Sequence, residues 1–250
     1  DVRRMLLSMR ARIEAMRALA YVTAAAQDNA HANQDAAARE KARAFADLLI
    51  PVVKGWSTES AIDIASLGVQ VHGGMGYIEE TGAAQHLRDA RITSIYEGTT
   101  AIQANDLIGR KIAREKGVTA KAVIADMRAA TAQLDGDLAA IGARQAAAVD
   151  ALEKAVSWLV AIFSTDPKAA HAGAVPFLHL FGIVAGGWQM GRAAVIARSK
   201  IAGGETDPFW AAKLATTRFY SDHFLTQAAG LAESVIAGAA GALELADDSF

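Results

Sequence analysis

Residues 172–190 constrain the chain more than any other stretch: they are almost wholly apolar, with only His179 and Gln189 polar. A run of this length is close to the roughly 20 residues a helix needs to cross a bilayer. However, Pro176 and the glycines at 173, 182, 186 and 187 suit close helix packing, and basic residues do not flank the run on one side only. A helix that is apolar all round can also be buried inside a helical protein. The segment therefore reads as a core or interface helix and not as a membrane span. With 250 residues and 52% apolar content, the chain is large enough for a sizeable core, as one large domain or two ordinary ones.

The remainder is patterned as helix. Val2, Met5, Leu6, Met9, Ile13, Met16 and Leu19 keep to one face of a 3.6-residue period, which predicts a long helix to about Gln27, followed by a polar turn through residues 28–35. Phe45, Leu48, Leu49, Val52 and Val53 line a second helix, in which Pro51 either makes a kink or opens a new helix. The helical pattern resumes after Ser57 and should stop at the glycines at 73, 74 and 76. A short helix over 81–90, an irregular segment to Glu97 and a helix over 99–116 follow. Gly117 is the predicted domain boundary, dividing residues 1–117 from 118–250. Beyond it, helices are predicted over 119–143, 145–163, 167–202 and 207–240, the last introduced by Asp207 as N-cap and Pro208 at the first helical position. No strand pattern stands out, so the predicted fold class is all-α.

A net charge of -2 with basic residues scattered among acidic ones gives no electrostatic footprint for nucleic acid. The sequence contains no cysteine, which removes disulfides and thiolate zinc sites and suits a cytoplasmic location. Histidines at 31, 72, 86, 171, 179 and 223 have no pair at i,i+3 or i,i+4, so no metal site is expected. The first residues read as the interior of an amphipathic helix without an initiator methionine, so the chain is expected to be a truncated or proteolysed piece of a longer protein.

Two motifs carry chemistry. In Arg88-Asp-Ala-Arg-Ile-Thr-Ser-Ile-Tyr-Glu-Gly-Thr99, Glu97 lies between apolar Ile95-Tyr96 and Gly98-Thr99. Neighbours that strip its water would tune it as a general base, and a glycine beside it admits a ligand close to the backbone. The alternative is an acidic group in the first turn of a helix, complementing the dipole. Arg88 and Asp89 read as a local ion pair, and His72 as a packing or hydrogen-bonding residue. In Gln70-Val-His-Gly-Gly-Met-Gly-Tyr77, exposed glycine N–H groups could hold phosphate oxygens, although three glycines after a helix also simply end it.

Read together, these motifs resemble the C-terminal helical domain of the acyl-CoA dehydrogenase family. The likeness runs from Asp1 to about Gly117. It is closest to the large subfamily with an extra C-terminal helical domain, which residues 118–250 match in length and helical character. The resemblance implies a missing N-terminal helical domain and β-domain, an FAD cofactor, and an acyl-CoA substrate oxidised to its trans-2-enoyl product. It implies Glu97 as the base that removes the α-proton while the β-hydrogen leaves as hydride to the flavin, with the Glu97 N–H helping to polarise the thioester carbonyl. Tyr96 and Gly98 match positions beside the thioester and flavin. Gln70, Gly73 and Gly74 match contacts to FAD held mainly by a neighbouring subunit, which implies at least a homodimer. Thr99 matches a flavin-nucleotide contact; the glutamine often found two positions later is Ala101 here, with Gln103 displaced. An electron-transfer flavoprotein is the implied electron acceptor. An acyl-CoA oxidase and a non-catalytic helical interaction module are the competing readings.

Overall fold

The computed structural model describes residues 1–249, and these form helices and turns without a strand. α1 (Val2–Ala32) and α2 (Ala36–Val71) pack along one another as a long helical hairpin. α1 runs past Gln27 to Ala32 because Ala26 and Ala30 remain buried, so the turn shortens to residues 33–35. Asp35 caps α2 by accepting a hydrogen bond from the Ala37 N–H at 3.0 Å. Pro51 lies inside an unbroken α2 and opens no new helix. It removes one ladder donor, but Leu48, Leu49, Val52 and Trp56 on either side are buried and hold the helix in the core.

After α2 come one helical turn, α3 (Gly74–Tyr77), then α4 (Ala83–Thr93) and α5 (Thr100–Asp106), which widens into a π-helix over Leu107–Ala113. The predicted 99–116 helix is thus shorter and changes pitch, which brings Leu107, Ile108 and Ile112 into the core. Gly117 (φ +75°) turns the chain against Val156 and Val160.

The second half holds α6 (Val118–Thr131), α7 (Ala139–Ile162), α8 (Pro167–Ala172), α9 (Ala174–Ala202), α10 (Pro208–His223), α11 (Ala228–Ala237) and α12 (Ala239–Leu243). Three predicted boundaries shift. The break expected near 143–145 falls at 132–138, where Leu134 and Leu138 turn inward and Gly136 takes a positive φ, while Gly142 packs inside α7 against the Leu134 carbonyl. The 167–202 helix divides at Gly173, which lies too close to the Val235 backbone for any side chain. The 207–240 helix breaks after His223 and again at Gly238. At its start Asp207 accepts from the Phe209 N–H at 2.8 Å, with Pro208 at the first helical position.

α9 is the centre of the molecule, packed by α1, α2, α5, α6, α7, α10 and α11. Its most apolar stretch satisfies the length and hydropathy of a membrane span, yet 78% of that stretch is buried within the protein. Phe177 and Phe181 are fully enclosed, each worth roughly 1.5–3 kcal/mol of transfer free energy. Glycines let neighbours approach: a Cβ on Gly182 or Gly186 would collide with the Trp56 ring. One continuous apolar core therefore joins α1, α2 and α5 to the helices after Gly117.

Among the described residues, one ion pair also crosses between the halves. Glu14 on α1 accepts from Lys213 at 2.6 Å and Thr216 at 2.8 Å on α10, and from Arg10 at 2.9 Å. Burial alone would raise the Glu14 pKa, but these hydrogen bonds and the Lys213 charge outweigh it and hold the group below its ordinary value.

Candidate active site

The turn between α4 and α5 presents the candidate base. Its ends are tied by the Thr100 N–H donating to the Ser94 carbonyl at 3.2 Å, and the Ser94 hydroxyl accepts from Arg91 at 2.8 Å. Thr99 caps α5, its hydroxyl accepting from the Ile102 N–H at 3.3 Å. Between these anchors Glu97 has φ +52° and Gly98 φ +87°. The left-handed conformation is natural for glycine but costs a non-glycine residue roughly 1–2 kcal/mol, and such outliers concentrate at functional sites.

α2 supports this turn from beneath. The Lys54 ammonium donates to the Gly98 carbonyl, and the Thr100 hydroxyl donates to the Glu59 carboxylate. Gln103 donates to the Glu97 carbonyl at 3.5 Å, and its amide occupies the space a Gly98 side chain would need. Lys54, Glu59 and Thr100 are absent from the sequence-predicted site. Only the recurrence of charge on α2 signals Lys54 and Glu59 in the sequence, and that recurrence also marks any solvated helix face.

Glu97 is exposed, with Tyr96 and Ile95 about half exposed beside it. The expected stripping of water from the carboxylate by these neighbours is therefore not supplied within this chain, because both side chains turn outward instead of packing over it. Arg88 pairs with Glu79 at 3.4 Å on the surface and not with Asp89. Arg88 and Asp89 are adjacent in α4, and neighbouring helical positions do not face each other.

The glycine motif ends α2. His72 Nδ1 bonds the Gly68 carbonyl at 2.8 Å, a local structural contact. Gly73 has φ +61° and Gly74 has open space where a side chain would stand, whereas a Cβ on Gly76 would come within 2.2 Å of the Val69 carbonyl oxygen. Gly76 is thus a packing glycine, and Gly73 and Gly74 leave bare backbone facing outward beside exposed Gln70. α2 carries both regions: Glu59 and Gln70 lie about 17 Å apart along its axis at the usual helical rise. The described residues contain no cluster of metal ligands. A separate cavity of about 430 Å³ between α1, α2, α9 and α10 is lined by Ser8, Arg12, Asp63, His179 and Tyr220, and by none of the motif residues.

The described residues thus display one exposed carboxylate on a turn of positive φ, with a bare glycine backbone further along the supporting helix. Residues 1–113 match the family model described as acyl-CoA dehydrogenase, C-terminal domain, and residues 120–246 match the model described as acetyl-CoA dehydrogenase C-terminal like. The chain is 49% identical over 91% of its length to a 3-methylmercaptopropionyl-CoA dehydrogenase of Ruegeria pomeroyi. It is 34% identical over 90% of its length to the broad-specificity linear acyl-CoA dehydrogenase FadE5 of Mycobacterium tuberculosis. In each case it spans 39% of the relative. A Bacillus anthracis acyl-CoA dehydrogenase complexed with FAD shares the fold with a TM-score of 0.68 at 18% identity, covering 98% of this chain and 43% of that one. Caenorhabditis elegans ACDH-11 in complex with C11-CoA shares it with a TM-score of 0.66 at 19% identity, covering 88% and 36%. The chain belongs to the acyl-CoA dehydrogenase family, a family of enzymes.

Proposed function

We propose that this chain is the C-terminal part of an FAD-dependent acyl-CoA dehydrogenase, with Glu97 as the base. The observation that carries the reading is the exposed Glu97 held at φ +52° beside Gly98, a geometry that offers a carboxylate to an incoming ligand. The Glu97 carboxylate takes the α-proton of the thioester, the β-carbon gives up hydride, and the α,β double bond forms. FAD, when bound, supplies the hydride acceptor. The Glu97 N–H polarises the thioester carbonyl as negative charge develops on its oxygen. Tyr96 and Gly98 flank the thioester, and the acyl chain itself removes the water that Glu97 meets in this chain alone.

The residues assigned to the cofactor fit such a group. Gly73 and Gly74 offer backbone that no side chain obstructs, and Gln70 and Thr99 are exposed polar residues. These surfaces face away from the core, which supports completion of the site by a second subunit and hence at least a homodimer. The isolated 250-residue chain should therefore retain little flavin after gel filtration. An electron-transfer flavoprotein is the proposed acceptor.

The test is anaerobic bleaching of the flavin by acyl-CoA in the full-length protein, starting with 3-methylmercaptopropionyl-CoA because the relative at 49% identity carries that name. Absence of bleaching with any thioester would remove the dehydrogenase reading. Rapid stoichiometric peroxide on admitting air would assign an oxidase instead.

A further inference from the structure

We propose that Lys54 is a positioning residue for Glu97, acting through the Gly98 carbonyl; this rests on the reading of Glu97 as the base. Glu97 and Gly98 both take positive φ, and Gly98 has no side chain to limit rotation of the peptides around it. Left to itself, such a turn samples several orientations, each aiming the carboxylate differently. Two anchors on separate helices remove that freedom: Lys54 of α2 binds the Gly98 carbonyl, and Gln103 of α5 approaches the Glu97 carbonyl at 3.5 Å. Glu59 of α2 fixes the next residue but one through the Thr100 hydroxyl.

Geometry then dictates where the free donors point. The peptide bonds among the described residues are trans, so each carbonyl and the N–H of the same plane face opposite ways. Drawing the Gly98 carbonyl onto Lys54 turns the Thr99 N–H away from α2, and drawing the Glu97 carbonyl towards Gln103 turns the Gly98 N–H away from α5. Lys54 therefore fixes the aim of the carboxylate and presents backbone donors on the turn's outer side. A neutral residue of similar length would leave the helix intact and the turn loose. The lysine is half-buried on a helix whose neighbouring Gly55 and Trp56 are in the core, so its own position is well defined.

The experiment compares the full-length wild type with Lys54→Met and Lys54→Arg by anaerobic stopped-flow reduction of the flavin across acyl-CoA concentration and pH. Misplacement of a reacting group by about 1 Å costs on the order of 10²-fold, so the Met variant is expected to lose roughly 10- to 100-fold in limiting reduction rate. Its acyl-CoA Kd, flavin content and Tm should stay near wild type, and Arg, which keeps a cationic donor, should recover most of the rate. A Met variant as fast as wild type would overturn the positioning role. So would a rate loss in the flavin-loaded Met variant that only tracks a lowered Tm and that Arg does not rescue. If the Met variant fails to load flavin, Gln103→Met decides, since it frees the other carbonyl: a selective fall in limiting rate supports the two-anchor turn, and an unchanged rate overturns it. A wild type whose flavin acyl-CoA cannot reduce defeats the dehydrogenase reading itself, and the role of Lys54 with it.

Discussion

Gly182 of α9 sits flat against the Trp56 indole of α2: a Cβ at that position would stand 2.2 Å from Trp56 Cγ and 2.5 Å from Cδ2. The contact welds the first half of the chain to the second at its most crowded point. Gly182→Ala should therefore destabilise by roughly 1–3 kcal/mol, because either the indole or the α9 backbone must move. Gly230, in α11, has open space around it, and Gly230→Ala should gain about 0.5–1 kcal/mol from helix propensity. Thermal denaturation of the two variants side by side checks both signs. Equal behaviour would mean that α9 tolerates a wider separation from α2.

Glu97→Gln in the full-length protein keeps size and hydrogen bonding but removes the base. Flavin and acyl-CoA should still bind, while flavin reduction slows by at least the ~10²–10⁴-fold typical of general-base assistance. Asp should keep partial activity, limited by its shorter reach. Stopped-flow bleaching at saturating substrate is the measurement, and a Gln variant near wild-type speed would send the search to a carboxylate on another helix.

Gly74→Val should leave the fold of this chain unchanged, since nothing occupies the space its side chain would enter. In the assembled enzyme the same side chain should exclude the cofactor from the backbone and weaken FAD binding. Flavin content measured after dialysis, against an unchanged circular dichroism melt, separates the two effects. Full flavin retention would withdraw Gly74 from the cofactor site.

Acid should loosen the cavity between α1, α2, α9 and α10. Burial pushes the His179 pKa below its ordinary value of 6.5, against a smaller upward pull from Glu59 and Asp63. Around and below that pH the unfolded chain binds the proton more readily than the folded one, so stability rises with pH through this window and falls on acidification. Glu14 acts lower down. Its depressed pKa contributes stability above the ordinary carboxylate range that is lost as pH falls through its folded value. His179→Gln should flatten the melting temperature around and just below the ordinary histidine pKa without affecting the lower carboxylate transition. Glu14→Gln should cost about 1 kcal/mol at neutral pH after allowance for solvent screening. Melts recorded across pH decide whether either residue governs its window.

The helical periodicity over α1 and α2 and the apolar length of α9 are local patterns, legible as a helix to about Gln27, a helical pattern through Phe45–Val53 that resumes after Ser57 and stops at the glycines from 73, and the apolar run 172–190. The breaks were less so. The break expected near 143–145 lies instead at 132–138, where Gly136 turns the chain, while Gly142 packs inside α7 against the Leu134 carbonyl. A glycine's role depends on what approaches it, and that partner is remote in sequence. The same limit applies around Glu97. The motif marked the carboxylate and the flexible glycine beside it, but the lysine that grips that glycine's carbonyl sits 44 positions earlier, with no spacing rule to announce it. Exposure of Tyr96 was also hidden, because an aromatic residue beside a carboxylate reads equally well as a lid or as an outward-facing surface.

The central place of α9 has a consequence for biosynthesis. Translation delivers α1, α2 and α5 before α9, with Leu48, Val52 and Trp56 awaiting a surface that is not yet made. Those helices can form early, but their shared core closes only once residues 174–202 have emerged. Long-range closure of this kind is slow and leaves apolar faces open to other nascent chains. Trp56 therefore stays without its packing partner until Gly182 has been made.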